Sequence, residues 1–258
     1  MKAKTEKRSP LKDKPLRYAG QYLDEQIEDK RSELLYWVLV PSIIIFFAIR
    51  DWFRFFNPPP AHPIYITIVA IPVLTWGINK IIQGKREIER LRMARDGEKL
   101  VAEELQEMIK QGATVLNDIQ GDNFNIDHVV ISKHGIFLIE TKTYSKPVKK
   151  EPKITYDNEN VYLHGKSMDR NPINQVKASA SWLQNLLKES TGIKYKVHPV
   201  ILFPGWFIER NKSTTDFWVL NPKALSSFIP HEHISLAESE VHLVTFHLSR
   251  YVRTYTSK

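Results

Sequence analysis

Two charged residues occupy positions in a predicted strand where hydrophobic residues are expected. Residues 135–143 (GIFLIETKT) have the alternation of a strand, in which residues two apart lie on the same face. Glu140 and Lys142 therefore share a face with Ile136 and Leu138. A carboxylate followed two residues later by a lysine on one face is an arrangement that can act on a phosphodiester.

The preceding predicted strand contains a third such residue. In Asn125–Ser132 (NIDHVVIS), Asp127 lies on the same side as Val129 and Ile131. Charged residues at three apolar positions of neighbouring strands are most easily explained by a functional site.

Together, these three side chains could catalyse the hydrolysis of a phosphodiester bond. Carboxylate oxygens of Asp127 and Glu140 can hold Mg²⁺ or Mn²⁺, which polarises a phosphate and lowers the pKa of a bound water. Lys142 can orient that water or stabilise negative charge that develops on the phosphorus oxygens. The alternative is an internal salt bridge of Lys142 with Glu140 or Asp127, and the residues alone leave both interpretations open.

A fourth candidate lies on a helix before the strands. Residues 96–110 have apolar residues at helical spacing, and Glu98 projects into the middle of that apolar face. A carboxylate at such a position must be paired, hydrogen-bonded or bound to a cation. Glu98 is either a member of the site or an acid that complements the helix dipole.

The remaining elements complete an αβββαβ order. Gln175 falls in the first turn of a second amphipathic helix, which begins after Asn171 and Pro172. The periodicity predicts helices at 96–110, 172–188 and 238–252, and strands at 113–119, 125–132, 135–143, 153–156, 160–164, 196–203 and 216–220.

Two apolar runs near the N-terminus predict a membrane anchor. Residues 34–49 carry no charge and are extended by aromatic residues to 56, and a second run covers 64–82. The Pro-rich segment 57–63 separates them, so we expect a helical hairpin. A buried hairpin of a soluble protein is the alternative interpretation.

The distribution of charge gives the expected orientation and partners. Residues 1–95 carry 17 Lys and Arg against 10 Asp and Glu, whereas residues 96–258 carry 20 against 19. Basic residues flank the apolar pair on its outer sides, so the positive-inside rule predicts a multi-pass protein of the cytoplasmic (inner) membrane with both termini cytoplasmic. A strongly basic DNA-binding face is not required, although Lys146, Lys149, Lys150 and Lys153 form a possible local patch.

Composition excludes thiolate chemistry, because the chain has no cysteine. The histidines share no recognised ligand spacing, and we expect scattered loop positions for His128, His134, His164, His198, His231 and His233. The expected organisation is a charged cytoplasmic tail (1–33), two transmembrane helices within 34–82 (about 34–56 and 64–82), a basic linker (83–95) and an α/β domain (96–258).

The motifs of the domain, taken together, resemble the nuclease-related domain called NERD, of the PD-(D/E)xK nuclease superfamily. The resemblance covers about 96–203 and rests on short motifs: Gly97-Glu98, Ile126-Asp127-His128, Gly135, Ile139-Glu140-Thr141-Lys142, and Asn171-Pro172 with Gln175. It implies a restriction-endonuclease-like fold, in which a mixed sheet is flanked by helices.

The resemblance also implies roles for individual residues. Asp127 and Glu140 would be metal ligands, Glu98 the supporting acid, Lys142 the catalytic lysine, and Gln175 a residue that helps to position the site or the DNA. The expected function is that of a membrane-anchored nuclease dependent on Mg²⁺ or Mn²⁺, which hydrolyses phosphodiester bonds of nucleic acid, with DNA as the expected substrate. The alternative is a non-catalytic, membrane-tethered scaffold or nucleic-acid-binding module derived from a nuclease fold.

Overall fold

The computed structural model describes residues 15–56, 63–121, 124–146, 151–168, 170–210, 216–232 and 235–255. The chain divides into two compact units. Among the described residues, one unit covers the range 22–95, and the other combines residues 15–21 with the range 96–255.

Residues 22–95 form two long helices that pack against each other. Helix α1 spans Gln21–Phe55 and helix α2 spans Pro63–Lys110, and each continues through an internal proline. The predicted turn at 57–63 lies outside the described residues except for Pro63. The separate helix predicted at 96–110 is the last part of α2, because the predicted linker is also helical.

Side-chain contacts show that the two helices are antiparallel. Lys30 pairs with Glu87 at 3.2 Å near one end, and the Trp52 indole donates to the Thr67 hydroxyl at 3.1 Å near the other. Between them, glycines of α2 lie against side chains of α1: a Cβ at Gly77 would be 2.9 Å from Cγ of Pro41. Small residues permit such close approach of two helices.

The second unit follows the predicted αβββαβ order with additions. Its remaining elements, in chain order, are β1 Thr114–Gln120, β2 Asn125–Ser132, β3 Gly135–Thr141, β4 Lys153–Tyr156, β5 Val161–Leu163, β6 Lys166–Ser167, α3 Pro172–Thr191, β7 Val197–Leu202, β8 Phe207–Arg210, β9 Trp218–Leu220, α4 Leu225–Phe228 and α5 Glu238–Thr254. The short strands β6 and β8 were not predicted.

The main sheet is mixed, in the order β1-β2-β3-β7-β9. Strands β1, β2 and β3 are antiparallel neighbours, and β7 and β9 run parallel to β3. A second sheet has the order β6-β5-β4-β8. The expected α/β fold with a mixed sheet flanked by helices and two N-terminal apolar helices is confirmed.

Helices cover the two faces of the main sheet and create two buried clusters. On one face, Val176 and Leu183 of α3 pack with Leu138 of β3. On the other face, Leu105 of α2 packs with Phe137 of β3. The alternation of side chains along β3 thus assigns its even-numbered residues to the face that α3 covers.

Candidate active site

Asp127 links the second and third strands of the main sheet. It is 7% exposed, and its Oδ2 accepts a hydrogen bond from the backbone N–H of Thr141 at 2.6 Å. The β2–β3 register that pairs His128 with Ile139 brings Asp127 opposite Glu140. The acid predicted from β2 and the acid predicted from β3 therefore meet at one end of the strand pair.

Glu140, Lys142 and Gln175 form a hydrogen-bonded triangle. Lys142 Nζ lies 2.7 Å from Glu140 Oε1 and donates to Gln175 Oε1 at 2.8 Å. The Gln175 amide in turn donates to Glu140 Oε1 at 2.7 Å. One oxygen of the carboxylate is thus held twice, while Glu140 Oε2 is buried without a hydrogen-bond partner.

Helix α3 positions Gln175 through a well-formed N-terminus. The Asn171 side chain accepts from the backbone N–H of Ile173 at 2.9 Å, and Pro172 occupies the first turn. An Asn cap followed by proline fixes where the helix begins. Gln175 consequently lies in the first turn, within reach of β3.

Glu98 enters from helix α2. It is 6% exposed, its carboxylate accepts from the backbone N–H of Gly20, and its Oε2 is buried without a partner. The neighbouring Gly97 allows the helix to approach the chain after β3, because a Cβ at this position would be 2.0 Å from Oγ1 of Thr143. The Gly97-Glu98 motif thus combines a contact that requires glycine with a buried acid.

The electrostatics of the site are dominated by excess negative charge. Burial, followed by the charges of Asp118 and Glu140, raises the pKa of Glu98 to about 8. Burial and the charges of Glu140 and Glu98 raise the pKa of Asp127 well above its usual range, although the Thr141 N–H opposes this. Carboxylates that cannot all ionise together favour a proton or a cation among them.

The carboxylates around Lys142 favour the charged form of its ammonium group. Burial alone would lower the pKa of its ammonium group, but the charge and hydrogen bond of Glu140 and the charge of Asp127 outweigh burial and raise it. At neutral pH Lys142 therefore donates hydrogen bonds and contributes positive charge, and it does not act as a base.

The donor chemistry of the site fits a hard divalent cation, which is bound by oxygen ligands. Two buried carboxylate oxygens, Glu98 Oε2 and Glu140 Oε2, have no hydrogen-bond partner. Within the described ranges, however, no group of three or more His, Cys, Asp or Glu side chains is arranged so that it could hold a metal ion as it stands.

The five predicted site residues come together, but one buried acid beside them was not predicted. Asp118 of β1 is fully buried, and its charge raises the pKa of Glu98. Its backbone has a φ of 59°, which interrupts the regular alternation of the strand. The available signal was the Asn117-Asp118 pair in the middle of the strand, between the apolar residues Leu116 and Ile119.

Two other predictions concern residues away from this site. Loop positions are wrong for His128 and His198, which are buried in β2 and β7, and His233 lies outside the described residues. In the possible basic patch, Lys149 and Lys150 also lie outside the described residues, and Lys153 pairs with Glu209 at 2.6 Å.

Comparison with known families gives one finding. Residues 94–204 match a family described as the nuclease-related domain, NERD, which confirms the resemblance drawn from the motifs. No curated protein and no solved structure matches the chain. The matched range contains all five predicted site residues.

Proposed function

Because residues 94–204 form a nuclease-related domain, we propose that this chain is a membrane-anchored nuclease that requires Mg²⁺ or Mn²⁺ and hydrolyses phosphodiester bonds, with DNA as the expected substrate. The observation that carries the proposal is the convergence of three buried carboxylates with one lysine. Glu98, Asp127 and Glu140 are each less than a tenth exposed. A single ammonium group cannot balance three ionised acids, and a divalent cation supplies the missing charge.

The metal would be held by Asp127, Glu140 and Glu98, and it would polarise the phosphate and lower the pKa of a bound water. The protein's own contribution is charge and orientation. Lys142 keeps its proton on Nζ, and its positive charge would stabilise the negative charge that a phosphate oxygen gains in the reaction. Gln175 holds the Lys142 ammonium group and the Glu140 carboxylate at a fixed separation.

The helical hairpin supports the anchoring part of the proposal. Both helices are long and apolar enough to cross a bilayer, and only 6% and 11% of their apolar windows are buried. The core helix of a soluble protein would be mostly buried instead. Basic flanks favour the cytoplasmic membrane as the location, with two crossings and both termini in the cytoplasm.

A non-catalytic role is the second candidate, and the bond between Lys142 and Glu140 favours it. With an N–O distance of 2.7 Å and Gln175 bonded to both groups, the triangle resembles a structural ion pair. A chain with this role would be a membrane-tethered scaffold or nucleic-acid-binding module. In such a role the remaining carboxylates would stay protonated and hold no metal.

A digestion assay with the purified full chain tests the proposal. Supercoiled plasmid, linear DNA and RNA are incubated with Mg²⁺, Mn²⁺ or EDTA, and the circular substrate separates endonuclease from exonuclease activity. Lys142→Ala should lower the rate by about 100-fold or more, because one group that stabilises transition-state charge is removed. Lys110→Ala serves as the control, since Lys110 is exposed and pairs with Glu107 of the same helix at 3.2 Å.

The two candidate functions predict opposite results. Cleavage that requires the metal, persists in Lys110→Ala and is lost in Lys142→Ala supports the nuclease. Absence of cleavage by the wild type, or equal cleavage by wild type and Lys142→Ala, contradicts it.

A further inference from the structure

Residues 15–20, which precede the first apolar helix, pack against the candidate site. They belong to the same compact unit as the α/β domain that begins at residue 96. Arg17 Nε donates to Asp118 Oδ2 at 2.7 Å, and the Asp118 side chain has no exposed surface. A buried ion pair of this kind fixes both partners, because either one left alone would be an uncompensated charge.

Both oxygens of Asp118 are engaged. Oδ2 accepts from Arg17, and Oδ1 accepts from the Asn125 side-chain amide at 2.7 Å. The β1–β2 register, which continues on either side of Asp118, brings this residue opposite Asp127. Asp118 is therefore an acid beside the site whose two carboxylate oxygens each already accept a hydrogen bond. It is better suited to position neighbouring residues than to bind a metal.

The same segment also reaches Glu98 directly. Three residues after Arg17, the backbone N–H of Gly20 donates to the Glu98 carboxylate. The charge of Asp118 acts on Glu98 as well. Arg17 is thus bonded to an acid whose charge acts on Glu98, and it lies three residues before the Gly20 donor.

We propose that Arg17 is a positioning residue of the site, which orients Glu98 for metal binding through Asp118 and the Gly20 backbone. The inference rests on the proposed function, because it takes Glu98 to be a metal ligand. If Arg17 has this role, the short segment before the helical hairpin is a functional part of the α/β domain. Removal of a residue that orients a metal ligand through a hydrogen bond typically lowers metal affinity by 10- to 100-fold.

The test uses the full chain in detergent, without nucleic acid. Mn²⁺ affinity is measured by electron paramagnetic resonance, and hydrogen exchange is followed at the Gly20 amide. Arg17→Met should weaken Mn²⁺ binding by about tenfold or more and accelerate exchange at Gly20. Arg17→Lys, which keeps the positive charge, should retain most of the wild-type affinity.

Arg95→Met is the matched control, because Arg95 pairs with Asp24 at 3.0 Å within the helical unit. It should leave Mn²⁺ affinity unchanged. Wild-type affinity in Arg17→Met, or an equal loss in Arg95→Met, overturns the inference. If the wild type binds no Mn²⁺, the proposed metal-dependent function is wrong. If hydrogen exchange at Gly20 is unchanged in Arg17→Met, Arg17 does not hold the segment, and the inference about Arg17 is wrong on that ground alone.

Discussion

Replacement of Glu98 by glutamine should stabilise the metal-free domain at alkaline pH. Glutamine has the shape of a protonated glutamate, and its carbonyl can still accept from the Gly20 N–H. Burial, Asp118 and Glu140 raise the pKa of Glu98 from 4.5 to about 8. Ionisation of this residue therefore opposes folding, and Glu98→Gln removes that opposition.

The magnitude follows from linkage between protonation and folding. Because the folded-state pKa exceeds the unfolded one, the stability contributed by protonated Glu98 is fully present below pH 4.5 and is lost as the pH rises towards 8. One pKa unit corresponds to about 1.4 kcal/mol, so the loss amounts to about 4 kcal/mol at pH 8. For a domain of this size such a change corresponds to roughly 10 °C in unfolding temperature.

Thermal unfolding in EDTA between pH 5 and pH 9 provides the measurement. Glu98→Gln should unfold at a higher temperature than the wild type at pH 8, and the difference should shrink towards pH 5. Glu103→Gln is the control, because Glu103 is an exposed residue of the same helix. An unchanged or lower unfolding temperature at pH 8, or a difference independent of pH, would refute the idea that Glu98 carries an unfavourable buried charge.

Two further predictions concern residues that support the site. Gly97→Ala should destabilise the domain by about 1–3 kcal/mol, because its Cβ would lie 2.0 Å from Oγ1 of Thr143. Chemical unfolding measures this loss of stability, and the second substitution Thr143→Ala should restore part of it. Absence of any rescue by Thr143→Ala would contradict the proposed clash. Burial lowers the pKa of His128 to about 3, so its stabilising contribution is present above its ordinary value of 6.5 and is lost as the pH falls towards 3. Relative to wild type, His128→Gln should therefore gain stability in acid unfolding curves, and parallel curves would exclude this effect.

The positions of the candidate site residues could be predicted from the sequence where the backbone is regular. Strand alternation and helical spacing are sufficient to place Asp127, Glu140 and Gln175, because β2, β3 and the start of α3 follow these periods without interruption. Asp118 shows where this reasoning stops. Its φ of 59° breaks the period of two, and Leu116 and Ile119, three residues apart, both join one buried cluster.

Two aspects of the fold were not predicted. The helical conformation of residues 83–95 was missed, although helix-forming residues predominate there and α2 runs through them. Strand β8, Phe207–Arg210, depends on its pairing with β4. That pairing is remote in sequence, so propensity within four residues could not reveal it.

The bond between Arg17 and Asp118 joins residues 101 positions apart, with both apolar helices between them. If those helices are embedded in a bilayer, the polypeptide must cross it an even number of times before donor and acceptor can meet on the same side. Arg17 precedes its partner in the chain by 101 residues, so in a membrane-anchored chain this contact would form only after the second helix had crossed the bilayer. In a chain in which only one of the two helices crossed the bilayer, Arg17 and Asp118 would lie on opposite sides of the membrane. The hydrogen bond between them could not form.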